Sequence, residues 1–186
     1  MDRLNSIMEH NRMFVETKQY EAYMTTKFPN KKIVVLSCMD TRLVDLLPRA
    51  MNLRNGDAKI IRNAGAIVTQ PFGNIMRSII VALYELNAEE VFVVGHHDCG
   101  MTGLNAENII KKSLTKGVDP NTITTLRHAG IDLSRWLTGF DNVEQGVAES
   151  VGIIKNHPLL PKNTAVHGLL IHPETGKLDV LINGYE

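Results

Sequence analysis

Ile33-Val34-Val35-Leu36 is an unbroken apolar run, mostly β-branched, bounded by Lys32 on one side and Ser37-Cys38 on the other. A strand with one face in water alternates polar and apolar residues. A run apolar at every position is buried on both faces, as in a parallel sheet covered by helices. Glu90-Val91-Phe92-Val93-Val94 repeats the pattern, and Ala58-Lys59-Ile60-Ile61-Arg62 reads as a further strand after the Asn55-Gly56-Asp57 turn. Between and after them, residues 43–52, 71–86, 104–116, 121–138 and 142–156 read as helices, with Asp119-Pro120 and Thr138-Gly139 as breaks. Residues 164–171 and 178–182 read as strands joined by a turn at Pro173-Glu174-Thr175-Gly176, a closing antiparallel hairpin. The predicted fold is α/β: a mostly parallel central sheet flanked by helices, with a C-terminal antiparallel edge strand and an N-terminal helical arm.

At 186 residues and 44% hydrophobic content the chain supplies one substantial core. The reading is a single domain over residues 1–186, with a helical arm at 1–28 and an α/β core at 29–186. Residues 4–26 set Leu4, Ile7, Met8, Met13, Phe14 and Val15 among polar neighbours, an amphipathic pattern. Within 71–86 the apolar residues fall on nearly every side of the helix, so it is expected to be buried all round, in the core or against another subunit. Lys+Arg 20 against Asp+Glu 20 leaves no basic footprint for nucleic acid or an acidic membrane surface. No apolar run approaches the roughly 18 residues that span a bilayer. The opening Met1-Asp2-Arg3-Leu4-Asn5 lacks a signal-peptide layout. A soluble, cytoplasmic protein is expected.

Ligands of open parallel sheets bind beyond the carboxyl ends of the strands, and both cysteines fall there. In Cys38-Met39-Asp40-Thr41-Arg42 three functional groups stand at alternate positions, which project to one side if the strand direction persists. Gly95-His96-His97-Asp98-Cys99-Gly100 offers an imidazole and a thiol three residues apart, between glycines that let the backbone bend. Cys, His and Cys form a donor set that Zn²⁺ accepts tetrahedrally, leaving a fourth place for water or for Asp40. Plainer readings stand beside this one. A buried Cys is commonly a small hydrophobe. A disulfide can join Cys38 to Cys99, although a reducing compartment disfavours it. Asp40 can cap the following helix and Arg42 can sit at the surface. His97 competes with His96, because spacing alone does not separate adjacent residues. His10, His128, His157, His167 and His172 have no thiol or carboxylate motif around them and are given surface or core roles.

Cys38-x-Asp40-x-Arg42, then Arg62-Asn63-Ala64-Gly65, then Gly95-His96-x-x-Cys99-Gly100 resembles the β-class carbonic anhydrase family in order, spacing and strand-end placement. The similarity runs from about Ile33 to the final hairpin. The short chain, Ser37 to Leu43 and Val166-His167-Gly168-Leu169 are similar to its compact prokaryotic branch. The resemblance implies Cys38, His96 and Cys99 as ligands of one zinc ion per chain, and Asp40 with Arg42 as the catalytic dyad. It favours His96 over His97, since only His96 lies three positions before Cys99. Ala66 stands where many members have Asn, and the upstream Gln-containing segment of plant-type members is missing. Substrate contacts are therefore expected from main-chain amides and apolar side chains. Family members are dimers or larger oligomers, so the resemblance also implies a homodimer or homotetramer with the active site near the subunit boundary.

The implied reaction is reversible hydration of carbon dioxide to bicarbonate and a proton by zinc-bound hydroxide, oriented by Asp40 while Arg42 keeps that carboxylate ionised. Released from Arg42, Asp40 is a possible fourth ligand that closes the site, favoured at low pH. The same site suits COS or CS₂, linear cumulenes like CO₂. Two further readings are a non-catalytic zinc or redox-sensing protein closed by Asp40, and an anion-binding loop at residues 95–103. The last lacks both G-x-G-x-x-G and G-x-x-x-x-G-K-[ST].

Overall fold

The computed structural model describes residues 2–186. Five strands form one sheet: β1 (Ile33–Cys38), β2 (Ala58–Asn63), β3 (Glu90–His96), β4 (Ala165–Ile171) and β5 (Leu178–Ile182). Their spatial order is β2-β1-β3-β4-β5. The first four run parallel, and β5 returns antiparallel along β4 as the edge strand. The order reverses at β1: the chain leaves β1 outward to β2, then crosses back to β3. The carboxyl ends of β1 and β3 therefore flank the topological switch point, where such sheets open a crevice.

The uninterrupted apolar run of β1 has its reason in two packed layers. Val34 and Leu36 join Val91 and Val93 in one cluster with Met76 and Ile79 of α3 (Asn74–Glu85) and Val147, Val151 and Ile154 of α7 (Val143–Lys155). Val35 and Val94 join the other cluster with Leu43 and Leu47 of α2 (Leu43–Ala50) and with both cysteines. Gly95 is required by this packing. A Cβ there would lie 2.7 Å from Cγ2 of both Val143 and Val147, so α7 rests directly on the backbone of β3.

Two expectations are corrected. The N-terminal pattern does not give one helix over 4–26: α1 spans Arg3–Glu16, Lys18 takes a left-handed φ of 54°, and a short 3₁₀ turn follows at Gln19–Tyr23. Neither piece has a buried residue, so the arm finds no core in its own chain. Within its own chain the helix predicted at 71–86 leaves Val81 43% and Tyr84 58% exposed on one face of α3, so of the two expected covers, core or second subunit, the core does not supply that face. The run 121–138 is two helices, α5 (Pro120–His128) and α6 (Leu133–Leu137), parted at Gly130 with φ +83°, after which Asp132 caps α6 through the Arg135 N–H. The remaining helix, α4 (Ala106–Thr115), is capped by Asn105. Among the described residues no helix is long and apolar enough to cross a membrane.

Candidate metal centre

β1 stops at Cys38, and the alternate-position argument for Asp40 and Arg42 stops with it. Asp40 Oδ1 accepts the Arg42 N–H at 2.9 Å and the Asp40 carbonyl accepts the Leu43 N–H at 3.1 Å, a tight turn that starts α2. The same carboxylate is held by the Arg42 side chain, with Nε on Oδ1 at 3.0 Å and Nη2 on Oδ2 at 2.9 Å. Asp40 thus turns the chain ahead of α2 and pairs with Arg42; the helix begins after Arg42 with no side-chain cap, so the capping reading is not realised. This bidentate pairing holds its carboxyl down at about 2. The guanidinium is pushed upward by the side chains of Asp40 and Asp98.

β3 carries His96 to the neighbouring strand end. Its imidazole is fully buried, and Nδ1 lies 2.8 Å from the His97 carbonyl. A carbonyl only accepts, so Nδ1 carries the proton and Nε2 presents a lone pair. That Nε2 is buried without a hydrogen-bond partner. Such a nitrogen is costly in a core unless something coordinates it, and the pattern of one ring nitrogen fixed by a carbonyl with the other free is that of a metal-ligating histidine. His97 is set apart from this cluster; its ring faces His172 at 5.9 Å between centroids.

Cys38 Sγ, Cys99 Sγ and a His96 ring nitrogen lie within 4.8 Å of one another, all buried. The two sulfurs are 4.0 Å apart and both are free thiols, so the disulfide reading is not realised. With Zn–S bonds of about 2.3 Å, tetrahedral geometry separates two thiolates by about 3.8 Å. The protonation chemistry points the same way. Hydrogen bonding from the Cys99 thiol, with help from His96 and the Gly65 N–H, outweighs burial and holds Cys38 down at about 4. Cys99 is pushed upward by that same sulfur and by burial. One thiolate in the pocket opposes a second, and a bound dication removes the opposition. Burial works against a charged His96, but Cys38 outweighs it and the imidazole is raised overall.

The loop after β2 closes the site from the side. Asn63 accepts the Ile67 N–H at 3.1 Å and donates to its carbonyl, stapling a turn in which Gly65 takes φ +82° and Ala66 φ +57°. The turn aims the Gly65 N–H at Cys38 Sγ, 3.4 Å away. A Cβ at Gly65 would meet Met101 and Phe140 at 3.0 Å. Both side chains pack against the cluster that includes the cysteines, giving it an apolar wall. Arg62 has a role that its motif alone does not reveal. Pro48 inside α2 has no N–H to offer the Val44 carbonyl one turn back. Arg62 Nη2 reaches that carbonyl instead at 3.4 Å, while donating to the neighbouring Leu43 carbonyl at 2.9 Å.

The structure brings Cys38, Asp40, Arg42, His96 and Cys99 together at one strand-end crevice. Residues 33–178 match the family model for carbonic anhydrase. A Bacillus subtilis protein named "Putative carbonic anhydrase YvdA" is 64% identical, over 100% of this chain and 94% of its own length. A carbon disulfide hydrolase of Acidithiobacillus thiooxidans is 30% identical, over 80% of this chain and 76% of its own. Among solved structures, β-carbonic anhydrase isoform I of Trichomonas vaginalis superposes with a TM-score of 0.89 at 36% identity, covering 100% of both chains.

Proposed function

The chain belongs to the β-class carbonic anhydrase family, and from that premise we propose that it catalyses the zinc-dependent, reversible hydration of carbon dioxide to bicarbonate and a proton. The observation that carries the reading is the buried, unpartnered His96 Nε2 facing two free thiols, with an arginine-held carboxylate 3.8 Å from it. Cys38, His96 and Cys99 would hold one zinc ion. Bound there, zinc would supply Lewis acidity, which lowers the pKa of a coordinated water to about 7.

The rest falls to the chain. Asp40, held near 2 by Arg42, is ionised throughout the neutral range and is too weak a base to take the reaction's proton. Its work is to accept a hydrogen bond from the attacking water and orient a lone pair toward the carbon of CO₂. Arg42 keeps that carboxylate charged and holds both of its oxygens. The Gly65 N–H draws charge from Cys38 Sγ, which partly offsets the electron donation of a thiolate ligand. Met101 and Phe140 supply apolar surface suited to CO₂, which has no charge to pair. The proton leaves to solvent buffer. Two free thiols 4.0 Å apart stay reduced in the cytoplasm, where we place the protein. The exposed apolar residues of the arm, Leu4, Ile7 and Met8, together with Val81 and Tyr84 of α3, fit a homodimer or homotetramer.

The carbon disulfide hydrolase relative favours one second reading, hydrolysis of CS₂ or COS at the same centre. Stopped-flow CO₂ hydration between about pH 6.5 and 9, around the pKa of metal-bound water, tests both when run beside a sulfide-release assay on CS₂. The protein's zinc content is assayed in the same preparation. Activity toward CO₂ with about one zinc per chain is expected. Full zinc with sulfide release and no CO₂ turnover would move the assignment to the hydrolase.

A further inference from the structure

Arg42 reaches beyond Asp40. Its Nη1 donates to Asp98 Oδ2 at 2.8 Å and its Nη2 to the Asp98 carbonyl at 3.0 Å. The bonds to Asp40 come from Nε and Nη2. Because the two aspartates take different hydrogens of the planar guanidinium, they do not compete for it; each fixes one side of the fork. One side chain therefore ties the turn after β1, which follows Cys38, to the loop after β3, which carries Cys99. Asp98 takes a left-handed φ of +54°, a conformation that Asp tolerates better than most residues. Its side chain is 84% exposed, and among the described residues its carboxylate has no partner other than Arg42.

An exposed, strained residue with a single partner has little reason to be there for stability. Without the Asp98 carboxylate, Nη1 of the half-exposed Arg42 side chain would lose its acceptor, leaving the Asp40 pair and one bond to the Asp98 carbonyl, and such surface pairs are weak and mobile. Asp40 Oδ2 is already 3.8 Å from His96 Nε2, so a small displacement separates an orienting carboxylate from a ligating one. We propose that Asp98 is a positioning residue: it anchors the Arg42 guanidinium so that Arg42 retains Asp40, and so sets how readily Asp40 enters the metal's coordination sphere. This rests on the metal-site reading above. Asp98 was visible in the sequence only as a residue between two candidate ligands, and its action through Arg42 depends on the left-handed backbone.

The test uses cobalt(II) in place of zinc, because its visible absorption reports the donors around it. Spectra are compared at one pH for the wild type, Asp98→Ala, Asp98→Asn, Asp40→Ala and the double variant, alongside CO₂ hydration by the zinc forms. Asp98→Ala is expected to change the cobalt spectrum at unchanged metal content and to lower kcat/KM by about tenfold, the lower end for loss of an outer partner. Asp98→Asn keeps an acceptor for Nη1 and should stay close to the wild type. In the Asp40→Ala background, Asp98→Ala should leave the spectrum unmoved. A wild-type spectrum for Asp98→Ala, or a change that persists without Asp40, overturns the proposal. Wild-type protein that binds cobalt but fails to hydrate CO₂ removes the assigned reaction, while the spectra still decide the role of Asp98. Failure to bind cobalt at all removes the metal centre and this proposal with it.

Discussion

Cys38 Sγ and Cys99 Sγ face each other unbonded at 4.0 Å, one at the end of β1 and the other just past the end of β3. The two sulfurs belong to parts of the chain 61 residues apart. Their spacing suits a shared cation and is too long for a disulfide, which brings sulfurs to about 2.05 Å.

Replacing either sulfur should therefore remove metal and activity together. Cys38→Ala and Cys99→Ala are each expected to retain less than about a tenth of the wild-type zinc after dialysis, since two protein ligands hold zinc poorly. Elemental analysis of the dialysed proteins reads this directly. Chelation of the wild type should lower its thermal midpoint, because a ligand that binds only the folded chain stabilises it.

Arg42→Ala separates binding from turnover. The variant should keep zinc at the wild-type level, because Arg42 contributes no donor to the cluster, while kcat falls by about 10- to 100-fold as Asp40 loses its hold. Loss of zinc in parallel with activity would instead make Arg42 a structural support of the metal loops.

Arg62→Ala is expected to lower stability by about 1–2 kcal/mol, for its charged donor bonds the Leu43 carbonyl and also reaches that of Val44, which Pro48 leaves without an N–H. Urea titration measures the loss. In a Pro48→Ala background the helix regains that N–H, so the cost of Arg62→Ala should shrink. An undiminished cost there would place the contribution of Arg62 elsewhere.

Gly95→Ala should cost about 1–3 kcal/mol by overpacking, because its Cβ would press on Val143 and Val147. Trimming Val147 to Ala in the same chain should recover part of the loss, although the trimmed methyls carry a cost of their own. Denaturation midpoints of the single and double variants decide it.

The pH dependence of stability carries a definite sign. Arg42 lowers the Asp40 carboxyl from 3.8 in its ordinary state to about 2 in the folded chain, so the folded form takes up the proton less readily. Its stabilising contribution is complete above the unfolded value and is lost as pH falls through the folded one. The urea midpoint of the metal-free wild type should therefore exceed that of Asp40→Asn at pH 5, with the gap closing toward pH 2. A gap that stays constant over that window would show that pairing with Arg42 does not stabilise the fold.

The strands were legible because burial on both faces leaves a pattern that no exposed segment imitates, and Val34, Val35 and Leu36 divide between the two cores as that pattern requires. The sequence also led to the strand ends, where both cysteines and His96 meet. Its geometric argument for Asp40 failed locally, since alternation holds only while a strand continues, and Asp40 ends the extended run by accepting the Arg42 N–H. For α3 the sequence left two covers open, its own core or another subunit, and Val81 and Tyr84 lack the first. Periodicity registers that a side chain is apolar, and is silent on whether its neighbour belongs to the same chain. Gly130 and Asp132 were turn-forming residues inside an otherwise helical span, and their local preferences split it.

The parallel pairing of β1 with β3 would also give a bound metal a part in assembly. Ile33 lies opposite Glu90 and Ser37 opposite Val94, and in that alignment the thiol beyond Ser37 meets the imidazole and thiol beyond Val94. A slip of one residue would carry Cys38 about 3.3 Å along the strand and turn its side chain to the opposite face. A tetrahedral ion tolerates neither change. Zinc binding would thus select the native alignment of the sheet's two central strands over its misaligned neighbours, acting as a proofreader of strand register.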